Sequence, residues 1–292
     1  MTRMVERIIS HEREEALKTL LGDPSPSVRE ALETEFGRLG KTGEAILRKI
    51  AREEEGALKA HAEELLGLLT DPDPSEVLLT FIQSMRYELE TGLFLINRVL
   101  NPELEIEPVH EALDNLAQRC REIRVASMNP RENLLLLNRV LFHEAGFRGN
   151  TEEYDDPLNS CLEAVLKRRK GLPILLSSIY ILVGQRLSID LEPIALPGHF
   201  LVGSFKGSEP LYVDPFERGR FRNVGELRAL LLRRNVSPEF YHMVPAPVGE
   251  VLCRVCRNLV LHFDARKEAR WADRFRKFVR EFEETHRRRS EA

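Results

Sequence analysis

The stretch LPILLSSIYILVG, residues 172–184, constrains the fold more than any other part of the chain. It carries no charge, and its one proline, Pro173, suits a helix start, because the N–H that proline lacks has no partner in a first turn. A helix from Pro173 is then apolar on nearly every face, and such a helix needs other elements packed around its whole circumference. It is too short to cross a bilayer, which takes roughly 20 residues. The rest of the chain must therefore wrap it. With 292 residues, 42% of them hydrophobic, there is enough material for one large domain or two to three small ones.

Downstream of that helix, LEPIAL, HFLVGSF and PLYVD read as short strands separated by Gly, Pro and Ser. Upstream the periodicity is helical around 76–97, around 108–126 and over 130–145, the last starting on Pro130 and stopping at Gly146. NSCLEAVLKRRKG adds a helix with Ser160 and Glu163 in capping-box register and basic residues at its end. After Asn223 the chain returns to helix three times, in VGELRALLLRR, VGEVLCRVCRNLVLHF and RWADRFRKFVREFEE. Strands confined to one region, with helices on both sides, predict an α+β fold that is predominantly α and holds a small antiparallel sheet.

The segment before about residue 69 is helical with short turns. In LKTLLGDPSPSVREALETEFGRLG, Leu17, Leu20 and Leu21 precede a break at Asp23-Pro24, and Val28, Leu32, Phe36 and Leu39 then share one face. This stretch resembles a HEAT repeat, with its helix pair joined by a D-P-x-x-x-V-R-like turn, and the next pair, GEAILRKIA and ALKAHAEELLGLL, has a similar size without the Asp-Pro turn. A plain helical bundle is the alternative. TDPDPSE then punctuates the chain. The organisation expected is HEAT-like helices over 1–72, helices of the core domain over 73–129, the core over 130–245 and a helical pair over 246–292.

The net charge of -4 and pI near 6.1 supply no basic field for nucleic acid or an anionic membrane, and RFRKFVREFEETHRRR mixes both signs as a solvated helix face does. The charged start, MTRMVERIISHEREEALKTL, has no apolar core of a secretory signal. Four cysteines, two of them alone and two in one C-x-x-C (Cys253 and Cys256), form no disulfide framework, so a reducing cytoplasm is expected. A second C-x-x-C is missing and His262 is off the usual zinc spacing, so no metal is expected; no Gly-rich phosphate loop is present, and no cofactor is expected either.

The chemistry lies in LPGHFLV and YVDPFERG, which set His199 and Asp214 on neighbouring strands after the buried helix. That layout is similar to the transglutaminase-like, papain-related fold. There a cysteine at a helix N-terminus attacks a carbonyl, a strand histidine is its base and an aspartate orients the histidine. The helix end and the imidazolium favour the thiolate, and the carboxylate selects the tautomer. Together with LNRVLFHEAGFRGN and DPLNSCLEAVLKRRKGLPILLSSIYI, these motifs resemble the SirB-type branch of that superfamily, described as regulator-of-sirC-expression proteins. The resemblance covers about residues 76–245.

The resemblance implies a nucleophile at the start of the buried helix. Counting back from RLSIDLEP places that slot at Pro173, with Ile174 the next choice, and neither has a nucleophilic atom. The chain therefore reads as a pseudoenzyme with remnant His199 and Asp214, acting in protein binding or regulation through its helical-repeat surface. Those two residues could instead bridge two strands or touch a ligand. The rival is a cysteine hydrolase, protease or acyltransferase using Cys161, His199 and Asp214, since Cys161 also sits near a helix start; against it, the branch pattern has an aromatic residue there. A third option pairs Ser177 with His199, although Ser177 falls inside the helix, where its hydroxyl can bond a backbone carbonyl. Asn159, Arg168, Arg169 and Tyr180 match the branch pattern and are expected to serve as caps, surface charge and core.

Overall fold

The apolar stretch forms a helix over Pro173–Arg186, and every residue from Pro173 to Gly184 is buried. In the computed structural model, which describes residues 11–23, 25–69 and 72–291, this helix belongs to the larger of two compact units, 1–73 and 74–292.

In the first unit, four helices follow one another with short turns: α1 (His11–Leu21), α2 (Pro26–Leu39), α3 (Lys41–Glu53) and α4 (Gly56–Leu69). The face of α2 bearing Leu32, Phe36 and Leu39 is buried as its 3.6-residue spacing requires, and it meets Leu47 and Ile50 of α3 and Leu65 of α4 in one apolar cluster. Leu17 and Leu21 join that cluster, but Leu20 turns outward and is 45% exposed. Pro24 of the expected Asp-Pro turn, and Asp71 of the expected boundary, lie outside the described residues.

The second unit opens with α5 (Pro74–Ser84), α6 (Leu89–Leu100), α7 (Glu107–Ile123) and α8 (Pro130–Asn138), the last continued by a π-helical turn over Arg139–Glu144. The single helix expected around 76–97 is thus two. Side chains compete with the helical ladder at the break: the Ser84 hydroxyl donates to the Phe81 carbonyl at 2.7 Å, Met85 takes a φ of 55°, and the Glu88 carboxylate caps α6 by accepting from the amides of Glu90 and Thr91. A 3-10 turn, Pro157–Ser160, leads into α9 (Leu162–Arg168), and the helix expected from Pro173 is α10 (Pro173–Arg186). The capping box expected at Ser160 does not form. Asp156 caps the 3-10 turn instead, so the α-helix starts later, Cys161 takes the N-cap position without a side-chain bond, and the Ser160 hydroxyl is buried with no hydrogen-bond partner.

Strands β1 (Arg148–Gly149) and β2 (Lys170–Gly171) make a short parallel pair. The main sheet is antiparallel in the order β3 (Glu192–Ile194), β4 (Leu201–Ser204), β5 (Leu211–Asp214) and β6 (Arg220–Arg222). The three apolar runs supply β3, β4 and β5; β6, the charged RFR, was not legible as a strand, because its pairing comes from the turn before it. Helices α11 (Val224–Leu232), α12 (Val248–Ala265) and α13 (Ala269–Glu291) complete the chain. The main core of this unit has α10 packed against α7 and β4 while α12 and α13 lie along each other, and a smaller apolar cluster forms between the sheet and α11 around Ile194, Leu201, Leu227 and Leu231. The fold is α+β and predominantly α, as expected from the pattern of elements.

Candidate functional site

A cleft of about 280 Å³ opens where the start of α10 meets the loop before β4 and one face of α12. Pro173, Ile174 and His199 line it together, with Tyr154, Asp155, Arg254, Asn258 and His262. Cys161 and Ser177 are not in its lining.

His199 stands just ahead of β4 rather than on it, in a turn closed by its own amide donating to the Leu196 carbonyl at 3.0 Å. The turn needs Gly198, whose φ is +72° and whose missing Cβ leaves room for the Arg234 side chain. Arg254 holds the same loop from α12, its Nη2 donating to the carbonyls of Leu196 (2.6 Å) and His199 (3.0 Å) while its guanidinium lies over the Phe200 ring. Asp214 ends β5 and is wholly buried. Its Oδ2 lies 2.9 Å from Nε2 of His199, and Arg222 of β6 donates to the same oxygen from Nη2 at 3.0 Å and Nε at 3.3 Å. Burial pushes the Asp214 carboxyl up, but the His199 hydrogen bond and the Arg222 guanidinium outweigh it, and its pKa ends below the usual carboxylate range. An ionised Asp214 takes Nε2 as an N–H donor, so the neutral imidazole presents Nδ1 as a lone pair. Phe216 meets the ring edge-on at 6.3 Å between centroids, fixing its plane.

The turn joining β5 to β6 is anchored from below. Gly219 has a φ of +77°, its carbonyl accepts from Nδ2 of Asn138 at 2.7 Å, and a Cβ there would run into the Asn138 amide. Oδ1 of Asn138 accepts from the Tyr180 hydroxyl of α10 at 3.0 Å, and that hydroxyl also reaches the Leu134 carbonyl. The fully buried helix and the acid of the His199–Asp214 pair are therefore tied through one polar chain, and Tyr180 is core as expected.

The loop carrying Tyr154 and Asp155 is held by Asn159. Its Nδ2 donates to the carbonyls of Glu153 (2.6 Å) and Tyr154 (3.2 Å), and its Oδ1 accepts from Asn150 and from Arg168, both at 2.9 Å. Arg168 also pairs with Asp156 at 2.7 Å. Asn159 is thus a buried loop clamp rather than a helix cap, and Arg168 is part of that clamp rather than surface charge. Arg169 stacks over Phe147 at 4.6 Å in a left-handed backbone (φ 58°), again not a free surface cation.

Cys161 is buried. Its Sγ donates to the Pro157 carbonyl at 3.7 Å, and burial, with Asp156 and Glu163 nearby, pushes its thiol up to about 12. Ser177 is fully buried, its hydroxyl donating to the Phe200 carbonyl at 3.4 Å. Cys253 and Cys256 face the core of α12, where burial raises both thiols. His262 is also buried, its Nδ1 without a hydrogen-bond partner, and desolvation draws its pKa below the ordinary value. Sequence reasoning missed Arg222, Arg254 and Asn258. The first is foreshadowed only by lying eight residues after Asp214; the other two come from a helix distant in sequence, and no local signal marks them.

A transglutaminase-like superfamily model matches residues 107–257, just over half of the chain. A UPF0162 protein of Xylella fastidiosa is 35% identical over 209 residues, covering 65% of this chain and 72% of that protein. A UPF0162 protein of Vibrio cholerae is 32% identical over 130 residues, 44% of this chain and 48% of the relative. F-box only protein 21 of Mus musculus is 34% identical over 132 residues, which is 42% of this chain but only 21% of that protein. No solved structure matches the chain significantly. The matched stretch contains α10, the four-stranded sheet and the His199–Asp214 pair, and on that footing the chain belongs to the transglutaminase-like superfamily and to the UPF0162 family.

Proposed function

We propose that this chain is a non-catalytic, SirB-type member of the superfamily, a pseudoenzyme that acts in protein binding or regulation in the cytoplasm. The observation that carries the reading is the composition of the cleft. The free imidazole edge of His199 shares it with Pro173 and Ile174, at the helix start where the resemblance implies a nucleophile, and neither has one. The rival nucleophile is poorly suited to its task. Cys161 is buried, committed to a backbone carbonyl, and held as a thiol by burial, with acidic rather than basic neighbours dominating what remains. The pair then serves as scaffold: the buried Asp214 joins the loop before β4 to β6 through His199 and Arg222. The HEAT-like helices α1–α4 are the surface proposed to take a protein or peptide partner, by the usual habit of stacked helical repeats.

Iodoacetamide labelling of the folded protein from pH 5 to 9, resolved by peptide, tests the reading together with a burst assay on p-nitrophenyl acetate. Cys161 is expected to label more slowly than a free thiol at every pH, with no stoichiometric burst. Rapid labelling of Cys161 near pH 6, or a burst lost in Cys161→Ala, would overturn it in favour of the hydrolase.

A further inference from the structure

The cleft beside His199 holds a positive charge that no carboxylate answers. Arg254 is more buried than exposed, yet its hydrogen bonds go only to the carbonyls of Leu196 and His199 through Nη2, and no described carboxylate comes within ion-pair distance. Its neighbour Glu250 is engaged by Arg257 at 3.1 Å. This is unlike Arg168, Arg186 and Arg222, each of which meets a carboxylate at 3.0 Å or less. A guanidinium taken out of water without a counter-ion is costly, and burial does pull the Arg254 pKa down. Arg234, exposed just after α11 and without an acidic partner among the described residues, lies against Gly198 of that loop and adds a second positive charge nearby.

Three further groups point the same way. His199, 9% exposed, has Nε2 committed to Asp214 and Nδ1 with no hydrogen-bond partner among the described residues, and it lines the cleft. The first turn of α10 offers backbone amides that no helical carbonyl can accept from, with Ile174 at the cleft wall. Asn258 lines the cleft, and its amide makes no hydrogen bond to a described residue. On the negative side, Asp214 is neutralised by Arg222 and His199, and Asp155 sits exposed at the rim, where water screens it.

We propose that this cleft binds the oxyanion of a small ligand, a carboxylate or a phosphate group, with Arg254 as its counter-ion and Asn258, His199 and the start of α10 as its hydrogen-bonding walls. At about 280 Å³ the space suits the anionic end of a molecule rather than a whole large ligand. One proton lies between Nδ1 of His199 and the bound oxygen, carried by the imidazole or by the ligand's own P–OH, so a group that brings a proton has an advantage over a bare carboxylate. The inference rests on the non-catalytic reading, because it gives the remnant histidine a binding task; an oxyanion pocket without a thiol captures and does not turn over.

Isothermal titration of the full chain with inorganic phosphate, and with a short peptide in free-acid and amidated forms, at matched ionic strength, tests it. Saturable binding of phosphate or of the free-acid peptide is expected, and the tighter of the two names the source. The decisive variant is Asn258→Asp, the same size as the parent side chain but adding a like charge to the ligand, which is expected to weaken binding about tenfold or more; Arg254→Gln should do the same if it folds. No saturable heat with either ligand, equal binding of the amidated peptide, or unchanged affinity in Asn258→Asp would overturn the proposal. None of these outcomes bears on Cys161, whose labelling separately decides the non-catalytic reading.

Discussion

Replacing Asp214 by alanine should be the most damaging polar substitution in the sheet. The side chain is wholly buried and accepts from His199 Nε2 at 2.9 Å, from Arg222 Nη2 at 3.0 Å and Nε at 3.3 Å, and from the Glu217 amide at 3.3 Å. Removing it strands two buried side chains, while the Glu217 amide can turn to water. The imidazole loses its one hydrogen-bond partner among the described residues, which costs about 1–3 kcal/mol for a buried group. Arg222, whose side chain is 7% exposed, loses a buried counter-ion, a change that costs about 3–5 kcal/mol when nothing replaces it. Here something does. Glu217 remains at 2.8 Å from Arg222 Nη2, though it is 48% exposed and so a weaker partner. The two terms are not additive, and the net expectation is about 2–4 kcal/mol. For a unit of this size that lowers the melting temperature by about 4–16 °C. Differential scanning calorimetry of Asp214→Ala, His199→Ala and the double variant measures it. His199→Ala should cost less, because Arg222 still neutralises the acid, and the double variant should fall short of the sum. If Asp214→Ala melts within about 1 °C of the parent, the account of the pair as a scaffold is wrong.

The pH dependence follows from the same group. The folded pKa of Asp214 lies below its unfolded value, so its stabilisation is present above the unfolded pKa near 3.9 and is lost as pH falls through the folded value. The stability gap between the parent and Asp214→Asn should therefore be constant above about pH 5 and shrink in stronger acid; a gap that widens on acidification refutes the sign. Gly219→Ala combines a left-handed φ with a collision at Asn138 and should cost about 2–4 kcal/mol, read as a lower urea midpoint at unchanged m-value. Asn159→Ala removes the clamp on the loop over residues 150–157, so amide exchange there should accelerate while α13 stays protected; equal exchange in both proteins counts against the clamp.

Much of this architecture is local and could be read along the chain. An uncharged segment starting at Pro173 has only one soluble solution, a helix enclosed by others, and the structure encloses it. The short apolar runs around Val202 and Val213, bounded by Gly, Pro and Ser, favour strands, and the structure buries β4 on both faces. His199 and Asp214 stood out because LPGHFLV and YVDPFERG set a histidine and an aspartate in successive short strand-like runs, the layout of a His–Asp pair in the resembled fold. Other features were invisible for equally physical reasons. Ser160 and Glu163 have capping spacing, but which residue caps depends on the turn before the helix, and Asp156 claims that role first. Asn159 and Arg168 look like surface residues until the loop over Glu153 and Tyr154 folds onto them. The charge of the cleft is the clearest case. Arg254 lies 55 residues from His199 and 81 from Pro173, on an amphipathic helix whose sequence is satisfied by burying Cys253 and Cys256. Only the packing of α12 across the mouth of α10 turns its outer arginine inward, because side-chain neighbours in space are set by how helices dock and not by the spacing within either one.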